Sequence, residues 1–261
     1  MRAGARRRSR RPLDRTSGAG MDIGIIGSGH IGGTLTRRLT ALGHHVTVTN
    51  SRGPASLAAL AAETGAKAGT IEEAARARDL VIVTIPQRAV PSLPRDLFAG
   101  TPARTAVVDT GNYYPELRDG RIAEIDAGLN DSEWVARHLG RPVLKAFNNV
   151  QARTLARGGL PAGAPGRVAL SVAGDDPATK AVVLQLIDQL GFDPIDAGTL
   201  ADSWRQQVGT PAYCRDLDAA ALRAALAAPE RDKVADYRRE GEEMAQRMIA
   251  AAGSIDAIAA P

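Results

Sequence analysis

A glycine-rich segment between an apolar run and a helical pattern constrains this chain more than any other feature. Residues 27–32 read Gly-Ser-Gly-His-Ile-Gly; the apolar run of residues 22–26 precedes them and a helical pattern over residues 34–42 follows. A strand, a tight turn and a helix in this order open a βαβ unit. The first glycine allows the turn, the second allows a close approach to the backbone, and the third allows the helix to pack on the strand. We therefore expect a parallel sheet.

Strands and helices keep alternating after this opening. Strands are predicted at residues 46–49, 66–68, 80–85, 106–108 and 143–147, and helices at residues 55–64 and 71–78. Two of these strands are almost wholly aliphatic, as expected for parallel strands buried on both faces. The pattern predicts the α/β class, with a doubly wound parallel-sheet Rossmann domain of about six strands over residues 21–150.

A smaller region follows. Residues 168–172 predict a strand, and residues 177–190 predict a helix with proline at its first turn and glycine after its end. We expect a small C-terminal α/β lobe over residues 151–212 and a helical C-terminal extension over residues 213–261. Within the extension one helical face carries four larger side chains, Val234, Tyr237, Met244 and Met248. This face is expected to pack against its own domain, with a homodimer contact as the alternative.

The basic character of the chain comes from its first residues. Residues 1–20 hold seven arginines and one acid, Asp14, and so carry a formal charge of +6. The whole chain carries +4, so the remaining residues carry −2. A segment rich in arginine and glycine without apolar periodicity cannot bury enough surface to order itself. We interpret residues 1–20 as a disordered basic extension and Met21 as the functional start. A nucleic-acid-binding arm is the less favoured interpretation of the same arginines.

The remaining composition predicts a cytoplasmic protein. No apolar run approaches the roughly 18 residues of a membrane span, and residues 1–20 lack the apolar stretch of a secretory signal. Cys214 is the single cysteine, so no internal disulfide can form, and no cysteine–histidine spacing predicts a metal site. We expect no binding to membranes, and binding to nucleic acid is not favoured. The expected partner is a small-molecule acceptor.

The glycine segment predicts a phosphate site for a dinucleotide. Backbone amides at the helix start face the ligand, aided by the helix dipole. The residues predicted to bind there are Gly27, Ser28, Gly29, His30, Ile31 and Gly32. At the end of the second strand, where an NAD site usually carries an acid, the chain reads Asn50-Ser51-Arg52. A serine and a guanidinium without a carboxylate favour a 2′-phosphate, and hence NADP(H) over NAD(H).

Two further strand ends are expected at the same crevice, because ligands of open parallel sheets bind beyond the carboxyl ends of the strands. After the strand at residues 80–85, the predicted contacts to the cofactor are Thr84, Ile85, Pro86 and Gln87. After the next strand, Asn112 is predicted to bind a ribose or carboxamide, with a purely turn-forming role as the alternative. Asp109 is expected to order its own loop rather than act as a base.

The hydride acceptor is expected beside Asn148 and Asn149, which follow the strand at residues 143–147. Amides donate and accept hydrogen bonds without titrating, which suits positioning a substrate. Lys145 is a candidate acid in this segment, although the strand alternation with Leu144 and Ala146 allows it to point to solvent. No histidine has a metal or triad spacing, and His30 is the one expected near the cofactor.

At this point the chain resembles the NADP-dependent oxidoreductases related to the reductase of the deazaflavin coenzyme F-420. The resemblance covers about residues 21–207 and rests on the glycine loop, Asn50-Ser51-Arg52 and three further segments, residues 145–149, 172–176 and 191–198. It implies an NADP-binding Rossmann domain and direct hydride transfer between two stacked rings. The enzymes of this family that use the deazaflavin look to have a His-Thr pair at the position of Asn148-Asn149. Because this chain differs there, the expected acceptor is a deazaflavin, a flavin or a similar molecule.

The leading hypothesis is a reductase that moves hydride between NADPH and such an acceptor. A dehydrogenase or imine reductase is the first alternative and would need a proton donor such as Lys145 or Tyr113. An NADPH-sensing protein without catalysis is the second.

Overall fold

A computed structural model describes residues 20–253. The predicted basic extension therefore lies outside the described residues apart from Gly20, as does the end of the predicted C-terminal extension. Within residues 20–253, no helix combines the length and the apolar character of a membrane span.

The elements alternate along the chain as predicted. The first half contains β1 (Asp22–Ile26), α1 (His30–Ala41), β2 (His45–Thr49), α2 (Ala58–Thr64), β3 (Lys67–Ala68), α3 (Ile71–Ala75), β4 (Leu80–Val83), β5 (Ala106–Asp109), α4 (Ala123–Asp126), α5 (Asp131–Leu139) and β6 (Leu144–Lys145). The second half contains α6 (Ala152–Arg157), β7 (Ala169–Val172), α7 (Pro177–Gln189), β8 (Asp193–Asp196), α8 (Ala219–Ala227) and α9 (Val234–Ala252). Short 3-10 segments and one π-helical turn, Pro115–Asp119, connect them.

Six parallel strands form the main sheet in the order β3-β2-β1-β4-β5-β6. This order confirms the predicted doubly wound Rossmann sheet. It reverses direction between β1 and β4, and this reversal opens a crevice at the carboxyl ends of the strands.

Alternation within each strand fills two cores, one on each face of the sheet. Ile23, Ile25 and Ile82 belong to the core beneath α1, α6 and α7. Val81 and Val83 belong to the opposite core, beneath α3 and α5. Because every residue of β4 is buried, the strand has no polar face, as a central parallel strand requires.

The second sheet consists of β7 and β8, which pair in parallel. It is joined to the main sheet at one point, where the backbones of Lys145 and Ala173 exchange two hydrogen bonds of 2.8 and 3.0 Å. One face of this pair shares the core of the main sheet through Leu170 and Val172. The other face is covered by α8 through Leu222 and Leu226. The domain boundaries predicted from the sequence remain a prediction, while the cores of the two regions are continuous.

The C-terminal helix α9 is attached by polar contacts. Its buried residues are Arg238 and Glu242, whereas Met244 and Met248 are 53% and 41% exposed. Glu242 accepts hydrogen bonds of 2.7 Å from the backbone amides of Glu116 and Leu117. The apolar face predicted to pack against the domain is thus open at its methionines, whereas Val234 and Tyr237 are partly buried on the side of the helix that carries Arg238 and Glu242.

Arg238 reaches into the interior from α9. Its guanidinium lies 3.8 Å from the carboxylate of Asp131 and 4.9 Å from the centre of the Tyr113 ring. The backbones also approach closely, because a Cβ on Gly209 would lie 1.7 Å from the Tyr237 carbonyl oxygen. Only glycine at position 209, with its φ of +79°, permits this contact.

Three boundaries differ from the prediction for identifiable reasons. The strand β4 ends at Val83 rather than residue 85, ahead of Pro86, which has no N–H to donate to a neighbouring strand. The strand β6 is limited to two residues, because Phe147 has a φ of +60° and leaves the extended region. The strand β8 was not predicted, since Pro194 lies inside it; a proline is tolerated there because β8 is an edge strand.

Lys145 does not point to solvent, and that expectation is corrected. Its side chain is fully buried, and its ammonium donates hydrogen bonds to the Gly111 carbonyl oxygen at 2.8 Å and to Ser132 Oγ at 3.1 Å. Asp109 Oδ2 lies 3.9 Å away. Asp109 also accepts from the Gly111 amide at 2.8 Å, which confirms that it orders its own loop.

We expect Lys145→Met to lower the free energy of unfolding by about 3–5 kcal/mol, because the buried carboxylate of Asp109 would lose its neighbouring cation. Urea denaturation measures the change. Lys67→Met is the matched control: the exposed ion pair of Lys67 with Glu73 should be worth less than about 1 kcal/mol. Equal losses in the two variants would contradict the role assigned to Lys145.

Candidate functional site

The glycine loop after β1 has the contacts that its pattern predicts. Gly27 has a φ of +114°, and a Cβ there would lie 2.2 Å from the Thr84 carbonyl oxygen. A Cβ on Gly32 would lie 2.0 Å from the Gly27 carbonyl oxygen, so the helix can pack on the loop only without a side chain. A Cβ on Gly29, by contrast, would meet nothing within 4 Å. The first and third glycines are therefore required by packing, and the second leaves open space for a ligand.

The N-terminus of α1 is suited to an anion. The helix runs from His30 with Gly29 as its N-cap, and no side chain caps it. The first amides of a helix lack partners within the helix, and no acidic residue lies in the first turn of α1. Ser28 and Ile31 are partly buried beside this helix start. The residues present thus fit the pyrophosphate of a dinucleotide.

The turn after β2 is held in shape by one amide. Asn50 donates through Nδ2 to Ser28 Oγ at 3.0 Å, and its Oδ1 accepts from the Arg52 amide at 2.9 Å and from Ser56 Oγ at 3.0 Å. Ser51 and Arg52 are exposed next to it. Asn50 therefore links the glycine loop to the turn and leaves the Ser51 hydroxyl and the Arg52 guanidinium at the surface.

The residues after β4 divide into two groups. Thr84, Ile85 and Pro86 are partly buried against the glycine loop, at the edge where they were predicted. Gln87 is fully buried, and its Nε2 donates to the Asp131 carbonyl oxygen at 3.0 Å. The expectation that Gln87 contacts the cofactor is corrected: the chain turns into the 3-10 segment Gln87–Ser92 and directs this side chain inward.

A cavity of about 1180 Å³ extends from the start of α1 across the ends of β5 and β6 to α9. Its wall includes His30 and Ile31 from α1 and Asn112 and Asn148 from the loops after β5 and β6, as predicted from the sequence. The helix α9 forms the far wall. This volume exceeds the roughly 300–1,000 Å³ of a typical small-molecule pocket.

Three amides cross-link the cavity wall. Asn148 Nδ2 donates to Asn112 Oδ1 at 3.1 Å and to the Gln206 carbonyl oxygen at 2.6 Å. Gln206 Nε2 returns a bond of 3.1 Å to Asn148 Oδ1, and Asn112 Nδ2 donates to the Asn148 carbonyl oxygen at 3.1 Å. Asn148 therefore lies at the predicted place with its amide already engaged. Asn149 is 1% exposed and is absent from the lining of this cavity.

Two strained residues flank Asn148. Phe147 and Cys214 are the non-glycine residues with positive φ among residues 20–253, at +60° and +47°, and both line the cavity. Cys214 Sγ lies 3.7 Å from the Asn148 carbonyl oxygen. Such conformations cost about 1–3 kcal/mol each and cluster at ligand sites. Two such residues beside Asn148 are what a ligand-binding wall would show.

A pair of tyrosines was missed from the sequence. Tyr114 and Tyr213 line the cavity, and their hydroxyls share a short hydrogen bond. Burial raises the pKa of Tyr114 to about 12 and the pKa of Tyr213 well above its usual value. Burial likewise raises the pKa of the Cys214 thiol to about 12. All three groups are therefore protonated at neutral pH.

The named candidate Tyr113 is directed into the core. It is fully buried, accepts from the Ile122 amide at 2.7 Å and lies 3.2 Å from Asp126 Oδ1. Neighbouring residues of an extended segment point in opposite directions, so Tyr114 faces the cavity instead. The Asp-Thr-Gly-Asn-Tyr-Tyr run shows that two tyrosines follow β5. Which of them faces the cavity depends on where the strand ends, and the sequence pattern does not fix that residue.

No group of three histidine, cysteine or acidic side chains within residues 20–253 could hold a metal ion. The crevice at the strand reversal, the open Gly29 and the uncapped α1 are the features of a dinucleotide-binding protein of the Rossmann class.

Comparison with known proteins agrees with this class. Residues 22–113 match the family described as NADP oxidoreductase, coenzyme F420-dependent. The hypothetical protein SMa0349 from Sinorhizobium meliloti, a solved structure, is 32% identical over 76% of this chain and 95% of its own, with a TM-score of 0.64. A proposed F420-dependent NADP reductase from Arthrobacter sp. has the same fold, at 21% identity and a TM-score of 0.59 over 90% of this chain and 96% of its own.

Protein YjhV of Escherichia coli is 50% identical over 82 residues, which are 31% of this chain and 53% of YjhV. The match thus spans about half the length of this curated relative. Together with the match of the glycine loop and the first strands, these relatives establish the family. The chain belongs to the NADP oxidoreductases described as coenzyme F420-dependent.

We expect Gly29→Ala to weaken NADP⁺ binding by tenfold or more, on the order of 1.4 kcal/mol, because the added methyl would occupy the open space beside the helix start. The free energy of unfolding should change by less than about 1 kcal/mol. Calorimetric titration and urea denaturation measure the two quantities. Gly32→Ala is the contrasting variant and should lose about 1–3 kcal/mol of stability, because its Cβ meets backbone. Unchanged binding in Gly29→Ala would contradict this placement.

The raised pKa values of Tyr114 and Tyr213 predict that stability falls above about pH 10. An unfolded tyrosine ionises near pH 10, whereas the folded chain keeps these hydroxyls protonated to higher pH. Unfolding then releases protons, so Tyr114 alone removes about 1 kcal/mol by pH 11, and Tyr213 acts in the same direction. Urea denaturation across about pH 9–11, one unit either side of tyrosine ionisation, tests this. Tyr114→Phe/Tyr213→Phe should show a flatter profile; parallel profiles would refute the assignment.

Proposed function

We propose that this chain binds NADP(H) and transfers hydride between it and a flavin, a deazaflavin or a similar ring acceptor. The observation that carries the proposal is the single cavity that joins the start of α1 to the wall formed by α9. NADP(H) supplies a hydride from its nicotinamide ring. The cavity continues beyond the strand ends, so it has room for a second ring next to the first.

The donor side is supported by the turn after β2. Residues 50–53 contain no carboxylate, and Asn50 holds this turn against the glycine loop through Ser28. Ser51 can donate to a phosphate oxygen, and the exposed Arg52 guanidinium can pair with it in a bidentate manner. These residues favour NADP(H) over NAD(H). Thr84, Ile85 and Pro86 would face the adenosine half from the other side of the crevice.

The acceptor side is supported by the amides beside the strand ends. Asn112, Asn148 and Gln206 form a hydrogen-bonded network of groups that do not titrate. Charged side chains line the cavity elsewhere, namely Arg118, Arg215 and Glu240. Transfer of hydride between two rings needs positioning and no obligatory acid. Asn148 keeps its proposed role beside the acceptor, where it shapes the cavity wall. Asn149 is buried behind this wall and would support Asn148 without touching the acceptor.

The alternative function, reduction of a carbonyl or an imine, is not supported by the two proton donors that were considered for it. Lys145 donates to Gly111 and Ser132 inside the protein, and Tyr113 is enclosed beside Asp126. Neither lines the cavity. A general acid must lie within hydrogen-bond reach of the atom it protonates, so neither residue could serve from its present position.

Anaerobic oxidation of NADPH, followed by absorbance, tests the proposal. The protein is offered the deazaflavin coenzyme, FMN and FAD separately, with NADH as the control donor. Turnover with one acceptor and with NADPH alone supports the proposal and identifies the acceptor. Tight NADPH binding without turnover of any acceptor would refute the reductase and favour the sensor. Absence of NADPH binding would refute both.

We expect Arg52→Ala to weaken NADPH binding by roughly tenfold to a hundredfold, or about 1.4–3 kcal/mol, because a charge-assisted pair with the 2′-phosphate is lost. NADH binding should be unchanged. Arg104→Ala is the matched control: Arg104 is exposed just before β5, at the opposite edge of the sheet. Equal effects of Arg52→Ala on NADPH and NADH would contradict the role of Arg52.

A further inference from the structure

The tyrosine pair joins two distant segments at the cavity. Tyr114 precedes the π-helical turn Pro115–Asp119, and Tyr213 follows the loop that carries Gly209. Arg118 stabilises the first tyrosine, since its guanidinium lies 5.4 Å from the ring centre and bonds to the Asn112 carbonyl oxygen. The pair is therefore held against the same amide network that shapes the cavity wall.

Counting hydrogens shows what the pair can offer a ligand. Each tyrosine hydroxyl has one hydrogen to donate. The bond between Tyr114 and Tyr213 uses one of the two, whichever residue is the donor. The Cys214 thiol is the hydrogen-bond neighbour of Tyr213 for the other hydrogen, and its sulfur is a weak acceptor, so a ligand oxygen in the cavity can compete for that hydrogen. The pair is thus a single hydrogen-bond donor to a ligand.

The ionisation state separates hydrogen-bond donation from proton transfer. Burial raises the pKa values of both hydroxyls, so a tyrosinate at this place is strongly disfavoured. A group that resists losing its proton is a poor general acid and a dependable neutral donor. The other hydrogen is therefore suited to orient a ligand rather than to be consumed.

The wall of the cavity formed by α9 is largely apolar. Met244, Met248 and Ile249 line it, together with the polar Glu240 and Gln246, and the two methionines are among the few large apolar side chains exposed in the described chain. Thioether sulfur makes favourable contacts with aromatic rings, and the unbranched side chain adapts to their outline. This wall suits the face or edge of a flat, apolar ring.

We propose that the Tyr114–Tyr213 pair and the α9 methionines together form the acceptor site, and that the pair donates one hydrogen bond to an oxygen at the edge of the acceptor ring. The inference rests on the proposed hydride transfer and adds the chemical class of the acceptor: a flat ring with a hydrogen-bond-accepting oxygen, such as a ring carbonyl. The tyrosines act as positioning residues that touch the acceptor and do not give up a proton to it.

Binding of FMN to the protein saturated with NADP⁺ tests the inference by quenching of flavin fluorescence, without turnover. We expect Tyr114→Phe/Tyr213→Phe to raise the Kd of FMN by about tenfold, the loss of one hydrogen bond. Met244→Ala/Met248→Ala should raise it as well. The Kd of NADP⁺ should stay within about twofold in both variants, which also shows that they fold.

Tyr237→Phe is the matched control, because this tyrosine lies on α9 outside the cavity lining and bonds to the Glu230 amide. It should leave FMN binding unchanged. Unchanged FMN affinity in the double tyrosine variant would overturn the role of the pair. Absence of binding of FMN, FAD and the deazaflavin coenzyme alike to the unaltered protein would overturn the acceptor class. Loss of NADP⁺ binding by the unaltered protein would instead refute the proposed function.

The pH dependence of FMN binding gives an independent readout. Neutral donors keep their hydrogen through the range in which an ordinary tyrosine ionises, near pH 10. The FMN affinity should therefore be constant from about pH 7 to about pH 10. A loss of affinity within this range that disappears in Tyr114→Phe/Tyr213→Phe would show an ionisable pair and overturn its assignment as a neutral donor.

Discussion

The buried ammonium of Lys145 is the interaction on which the arrangement of the site depends. Its side chain holds the loop after β5 at Gly111 and the start of α5 at Ser132, while its backbone pairs with Ala173 and brings in the second sheet. An interior cation is stable only where hydrogen bonds and opposite charges surround it, so these segments have little freedom to move apart. Asn112 follows Gly111 and Asn148 lies three residues after Lys145, so this constraint also fixes the positions of their amides. The loops that face the cavity are thus fixed from inside the protein.

A second charged group fixes the outer wall. Asp131 is fully enclosed, and burial raises the pKa of its carboxyl while the nearby charges of Lys145 and Arg238 oppose the shift. Because Arg238 comes from α9, the helix is attached where the interior already carries charge. Glu242 adds a second contact by bonding to the start of the π-helical turn before which Tyr114 stands. The core, the tyrosine pair and the helix wall are therefore connected through a few polar contacts.

The sequence predicted the sheet, and it placed the residues proposed for the donor half of the site at the carboxyl ends of the strands, because both depend on local patterns. Glycines 27, 29 and 32 and the Asn50–Arg52 turn are short-range features whose geometry follows from neighbouring residues. The acceptor half depends on long-range contacts: Tyr114 and Tyr213 are far apart in sequence, and no periodicity predicts that their hydroxyls meet. Lys145 and Gln87 were misplaced for the same reason. Their residue types favour solvent, and only the tertiary structure supplies the partners that let them be buried.

The methionine wall of α9 has a consequence for how this site could change over time. The cofactor loop and the amide network are specified by glycines, close backbone contacts and saturated hydrogen bonds, where almost any substitution is costly. Met244 and Met248, in contrast, are about half exposed on a helix whose buried residues are Arg238 and Glu242. New side chains at these two positions would therefore reshape this part of the cavity while leaving the glycine loop in place. The residues that fix the backbone and those that set the shape of the cavity thus lie on separate elements.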